Sequence, residues 1–220
     1  MNEIVKGVTK IRNAMLMSVI IVAVTVAMML ITRAINSVAV QIMSMILMLS
    51  IVFLGIWLIV QFYKGINILR QIDLVAKLNQ RLDEMKCYFW LNVIAVSIAF
   101  FILIVGALTL TNIVVVIGQI LIVPSLILSW LMVFRLIQVN GILGVYSRNS
   151  ELVEKSISLK KLFYFQIGNA IFSYAVSFFS AYLGTWAIYL VAASAIFSFY
   201  FLTSILGILG LTITIFKNYS

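Results

Sequence analysis

Residues 88–134 read YFWLNVIAVSIAFFILIVGALTLTNIVVVIGQILIVPSLILSWLMVF, with no Asp, Glu, Lys or Arg between Lys86 and Arg135. A hydrocarbon core roughly 30 Å thick is crossed by about 20 apolar helical residues. The stretch holds two such lengths on either side of the turn-type pair Thr111-Asn112. It therefore predicts two membrane-crossing helices, at about 88–108 and 113–134, joined as a tight hairpin.

The pattern repeats outward in both directions. Apolar runs at about 14–32 and 38–62 flank Asn36-Ser37, and runs at about 163–183 and 187–216 flank Gly184. The first run lacks a small-residue cleavage site and reads as a retained span, not a cleaved signal peptide. The predicted fold is an all-α integral membrane protein, a six-transmembrane-helix bundle of three helical hairpins forming a single transmembrane domain over 1–220. A composition that is 65% hydrophobic and 10% charged agrees with that class. The last run is too long for one straight crossing. It is expected to tilt, to kink near Gly207 and Gly210, or to leave the bilayer as an interfacial segment, with two shorter crossings as the competing reading.

Charge sets the orientation. Of the 15 Lys and Arg residues, all but Arg33 fall before the first span, between the second and third, between the fourth and fifth, or after the sixth. By the positive-inside rule both termini and the two long connections are cytoplasmic, N-in and C-in, with external turns at about 33–37, 109–112 and 184–186. Trp57, Tyr63, Tyr88, Trp90, Trp130 and Tyr164 fall at inner ends, and Tyr182, Trp186 and Tyr189 at the outer turn. The net charge of +9 thus reads as an insertion signal in a cell-membrane protein and argues against a nucleic-acid partner.

Between the second and third spans, Ile68, Ile72, Val75, Leu78, Leu82, Met85 and Phe89 recur every three or four residues with charges between them. This predicts a cytoplasmic amphipathic helix over about 68–86, set off by a break at Gly65 and Asn67. It either runs straight on into the third span or turns at the interface. Ile4, Val8, Ile11 and Met15 repeat the pattern at the N-terminus. Gly141, Gly144, Ser147, Asn149 and Ser150 predict a chain break, after which Glu151 and Glu154 suit a first helical turn. Lys64, Arg70, Lys77, Arg81, Lys86, Lys160 and Lys161 are the candidate contacts to lipid headgroups or a docking partner. Lys6-Gly7 with Arg12 and Lys64-Gly65 with Arg70 share one spacing. The first pair precedes a span and the second follows one, so the recurrence reads as shared boundary composition, not an internal repeat.

The fifth span carries the most distinctive face. Gln166, Asn169, Ala170, Ser173, Ser177, Ala181 and Gly184 form a small, polar stripe, echoed in the sixth span by Ala195 and Ser198. Small residues let backbones approach and amides hydrogen-bond across the contact, so the stripe is either a packing seam or the wall of a solute path. Gln41, Gln119 and Asn92 are further amides that must point into the bundle or toward a subunit. Pro124, with Ser125 and Ser129 after it, is expected to kink the fourth span.

The spans hold no ionisable group of the kind a proton relay uses. With no His and a lone Cys87, the usual ligands for a metal or haem are missing. No cofactor, metal or catalytic residue is expected, and the chain reads as a non-catalytic membrane subunit with other membrane proteins, or copies of itself, as partners. The layout resembles the membrane part of a small ABC exporter, with six spans, both ends inside and a cytoplasmic helix between spans two and three. That resemblance implies a permease subunit meeting a separately encoded cytoplasmic ATPase.

Overall fold

A computed structural model of the chain describes residues 2–34, 38–72, 75–109, 112–178, 182 and 184–218. Side chains at 25–49, 106–122 and 177–181, and at a few isolated positions, lie outside that description. The expected turns at 33–37 and 109–112 therefore fall wholly or partly beyond it, as do the side chains of Gln41, Gln119 and Ser177.

The described residues form six helices and no strand: α1 (Asn2–Ala34), α2 (Val38–Arg70), α3 (Ala76–Thr109), α4 (Asn112–Tyr146), α5 (Ser150–Phe178) and α6 (Thr185–Asn218). They run from 29 residues in α5 to 35 in α4. At 1.5 Å per residue these lengths are about 44 and 53 Å, well beyond a hydrocarbon core of roughly 30 Å. Among the described residues, two segments are long and apolar enough to cross a membrane, Val123–Tyr146 of α4 and Ala192–Asn218 of α6. The other expected spans, 14–32, 38–62, 88–108 and 163–183, all run into positions whose side chains are outside the described set.

Two expected breaks are displaced. α2 passes through Gly65 and Asn67 and ends at Arg70, while α3 starts at Ala76 and runs unbroken to Thr109. The expected helix over 68–86 is thus divided between the end of α2 and the start of α3, with 71–75 between them. α4 passes through Gly141 and Gly144 to Tyr146. α6 is one helix through Gly207 and Gly210, not two short crossings. A helical glycine costs up to about 1 kcal/mol, and close helix packing at Gly65 and Gly144 offsets it. A Cβ on Gly144 would lie 3.0 Å from Val153 Cγ2 and 3.1 Å from Val153 N, so α5 needs this position bare.

The chain divides into two compact units. The first comprises Met1–Ile72 and Leu209–Ser220. Here α1 packs on α2, with Ile4, Val8, Ile11, Ile66 and Leu69 buried between them. Gly7 approaches Leu69 while Gly65 approaches Ile11, so the two helices run antiparallel. The second unit is Asp73–Ile208, where α3 packs on α4 and α4 on α5. Leu78, Leu82, Met85 and Phe89 form its α3 stripe, with Leu136, Leu143, Leu152 and Leu159 from α4 and α5. Of the three-or-four spacing expected from Ile68 to Phe89, the stretch from Leu78 onward is buried, and Val75 is exposed.

The α4–α5 connection is short because both ends are capped. Asn149 N–H donates to the Gly144 carbonyl at 3.0 Å and Arg148 N–H to that of Val145 at 3.1 Å, the Schellman pattern that satisfies final helical carbonyls. Arg148 takes the left-handed conformation, φ 51°, that this motif needs. The Asn149 side chain then accepts a hydrogen bond from Leu152 N–H at 2.9 Å and caps α5.

Candidate functional site

Three polar constellations in the second unit hold most of the described interior chemistry. The first joins α3 to α4. Ser125 Oγ donates to Asn92 Oδ1 at 2.7 Å, and Asn92 Nδ2 donates to Ser129 Oγ at 2.9 Å. Ser125 and Ser129 lie one turn apart just after Pro124, which sits inside α4 without ending it. An amide in an apolar setting is tolerated when its donor and acceptor are both engaged, and this one is. Asn92→Leu is expected to cost about 1 kcal/mol, the usual net contribution of a side-chain hydrogen bond. Thermal unfolding in detergent measures the cost, with Ser129→Ala costing less, since Asn92 keeps its contact to Ser125.

The second constellation joins α5 to α6. Gln166 Nε2 donates to Ser198 Oγ at 2.8 Å, and Asn169 Nδ2 reaches the Ser194 carbonyl at 3.1 Å and Ser198 Oγ at 3.3 Å. Gln166 Oε1 is buried with no hydrogen-bond partner among the described residues. Two residues of the stripe predicted on α5 thus meet the α6 serines. Ser173 is half-buried, the side chain of Ser177 lies outside the described residues, and Gly184 is exposed in the left-handed region at φ 55°. Positive φ is nearly free only for glycine, which gives Gly184 a conformational reason beyond small size.

The third constellation is charged and sits at the basic ends of α3, α4 and α5. Glu84 Oε2 lies 2.7 Å from Arg135 Nε and 2.9 Å from Arg81 Nη1, so one carboxylate bridges two guanidinium groups. Arg135 Nη1 also donates to Gln138 Oε1 at 2.8 Å. Below them Phe134 packs against Phe163 and Tyr164, with the Lys160 ammonium 5.6 Å and the Arg135 guanidinium 5.8 Å from its ring centroid. Both are within cation–π range.

Of the basic candidates, only Arg81 and Lys160 enter this cluster. Lys64, Arg70, Lys77 and Lys161 are exposed and Lys86 is half-buried. Sequence reasoning missed Glu84, Arg135 and Gln138. The available signal was that Arg135 is the first charge after the long uncharged stretch, while Glu84 lies one turn beyond Arg81.

Chemically, the first two clusters are amides and hydroxyls bonded mainly to one another. Neither contains a group that titrates near neutrality, so neither can act as a general base or proton relay. Among the described residues no group of three His, Cys, Asp or Glu could hold a metal ion. The interior clusters therefore join helices, and the charged cluster offers a cationic, aromatic-backed surface. No protein-family model, curated protein or solved structure matches this chain.

Proposed function

We propose that the chain is a non-catalytic polytopic membrane protein acting as a structural or accessory subunit of a membrane complex. One observation carries the reading: burial is inverted along the helices. Near the charged ends a core of apolar residues is enclosed, with Ile11, Leu82, Leu143 and Leu152 at 0% exposure, while Val145 and Ile157 stand outward there. Along the uncharged lengths, large apolar side chains stand outward, with Phe53 at 72%, Phe101 at 67%, Phe165 at 70% and Ile196 at 72%. Water would force the opposite arrangement, since each outward ring forfeits favourable burial. A bilayer supplies hydrocarbon to the outward rings and leaves water to drive core formation only at the charged ends.

On this reading the six helices cross in three hairpins with both termini in the cytoplasm. Their surplus length carries α2, α3, α4 and α5 past the inner leaflet as packed rods. The interior clusters are packing joints, and the basic rods, including Lys77, Arg81, Lys160 and Lys161, dock to headgroups or to a partner. Purification in mild detergent is expected to retain other membrane proteins in fixed stoichiometry. A lone chain that moves a solute by itself in reconstituted vesicles would overturn the subunit reading.

A second reading is favoured by those same rods. The capped connection at 147–149, at the tips of α4 and α5, is a place where a separately encoded ATPase could grip a permease. Co-purification of an ATPase, with transport abolished by Lys77→Glu and Arg81→Glu, would select it.

A further inference from the structure

In the first unit, the recurring Lys-Gly-(x4)-Arg phrase meets itself. A Cβ on Gly7 would lie 2.7 Å from Leu69 Cγ and 3.1 Å from the Gly65 carbonyl oxygen. One on Gly65 would lie 2.7 Å from Ile11 Cγ1 and 2.9 Å from the Gly7 carbonyl oxygen. Each glycine thus faces the other and the residue four places beyond it, so the crossing is locally twofold. Because α1 and α2 run in opposite directions, the same phrase sends its two arginines to opposite sides of the crossing, each about 7 Å along the axis. Arg12 goes toward the first expected span and Arg70 away from the second.

Arg12 is a half-buried guanidinium at the edge of an apolar helix. Its Nε is buried with no hydrogen-bond partner among the described residues, and its Cζ, Nε and Nη2 lie 3.8 Å from where a Gly210 Cβ would be. The guanidinium therefore rests against α6. The neighbouring Lys10 is held by Gln61 Oε1 at 3.1 Å, and Lys64 is exposed on α2. Glu3, the only carboxylate among the described residues of this unit, is engaged by Lys6 at 2.9 Å. A guanidinium with an orphaned buried donor and no carboxylate to meet it has the geometry for a tetrahedral oxyanion.

We infer that Arg12 binds a phosphate group, a phospholipid headgroup by its depth at the start of the first span. This rests on the membrane reading above for the identity of the source, whereas the phosphate chemistry does not.

The test compares wild type, Arg12→Gln, Arg12→Lys and the charge-matched control Lys155→Gln, all purified in neutral detergent. Thermal midpoints are followed against phosphatidylglycerol, against phosphatidylcholine, and against inorganic phosphate at fixed ionic strength. Phosphatidylglycerol is expected to raise the midpoint of wild type and Lys155→Gln alike, with half-effect at about tenfold lower lipid than for Arg12→Gln. Arg12→Lys is expected to fall between, since an ammonium lacks the planar fork. Inorganic phosphate reproducing the effect without lipid would assign a free phosphate ligand; an effect of phosphatidylglycerol alone assigns the headgroup. Superimposable titrations for wild type and a folded Arg12→Gln, or an equal response to phosphatidylcholine, would overturn the site. Failure of the membrane reading shows separately, as wild type that stays monodisperse without detergent.

Discussion

Gly65→Ala is expected to destabilise the protein by about 1–3 kcal/mol, the range for overpacking a close contact, and Gly65→Leu to leave little folded protein. The new Cβ would lie 2.9 Å from the Gly7 carbonyl oxygen and 3.2 Å from Ile11 N. Both are main-chain atoms of another helix, so relief requires moving α1 as a body. Gly7→Ala meets Leu69 Cγ and Cδ2 at 2.7 and 2.9 Å and the Gly65 carbonyl oxygen at 3.1 Å; the two shortest contacts are to a side chain that can change rotamer, so a smaller loss is expected there. Gly207→Ala is the control. Nothing lies within 4 Å of its added Cβ, so the intrinsic helix preference for alanine should raise stability by up to about 1 kcal/mol. For a chain of this size each kcal/mol moves the thermal midpoint by about 2–4 °C. Equal shifts for Gly65→Ala and Gly207→Ala would remove the case for a close α1–α2 crossing.

Glu84→Gln is the second large effect. It leaves Arg81 and Arg135 facing one another, each having lost its charged acceptor. Breaking a fully buried pair costs about 3–5 kcal/mol, whereas exposed pairs contribute at most about 1. With 27% exposure at the Glu84 side chain and 19% at Arg135, the expected loss is about 2 kcal/mol. Arg135→Met combined with Glu84→Met should cost less than the sum of the two single changes, because the Glu84–Arg135 contact is lost only once, while Arg81 loses its carboxylate in both Glu84 variants alike. Additive losses in thermal unfolding would show that the two residues do not act as a pair.

Helix number and helix-bearing regions were legible from apolar run length, and the charge asymmetry supplied an orientation to test. The ends of the helices were not. Gly65 and Gly144 look like breaks because glycine's local preference disfavours helix, and only a neighbouring helix explains why they are tolerated. The expected surface helix over 68–86 was legible as a face, since Leu78, Leu82 and Met85 are buried. Its division at 71–75 was not, because the periodicity continues across the turn.

In the α5 stripe, Gln166 and Asn169 were readable from spacing, but their acceptors were only half seen. Ser198 belongs to the echo on α6, while Ser194, which offers its main-chain carbonyl to Asn169, carries no side-chain signal for that role. The recurring Lys-Gly-(x4)-Arg phrase reads as boundary composition along the chain. It acquires meaning only when antiparallel packing brings the two copies face to face.

The outward apolar lengths are proposed to lie in a bilayer with the charged ends inside. Labelling of intact cells with a membrane-impermeant maleimide tests it directly. Cys87, exposed and the only cysteine, lies at the charged end of α3, and Trp186, 70% exposed, begins α6 at the opposite end. Cys87 is expected to react only after permeabilisation, whereas Trp186→Cys in a Cys87→Ala background is expected to react in intact cells. Labelling of Cys87 from outside, or equal behaviour at the two positions, would contradict it.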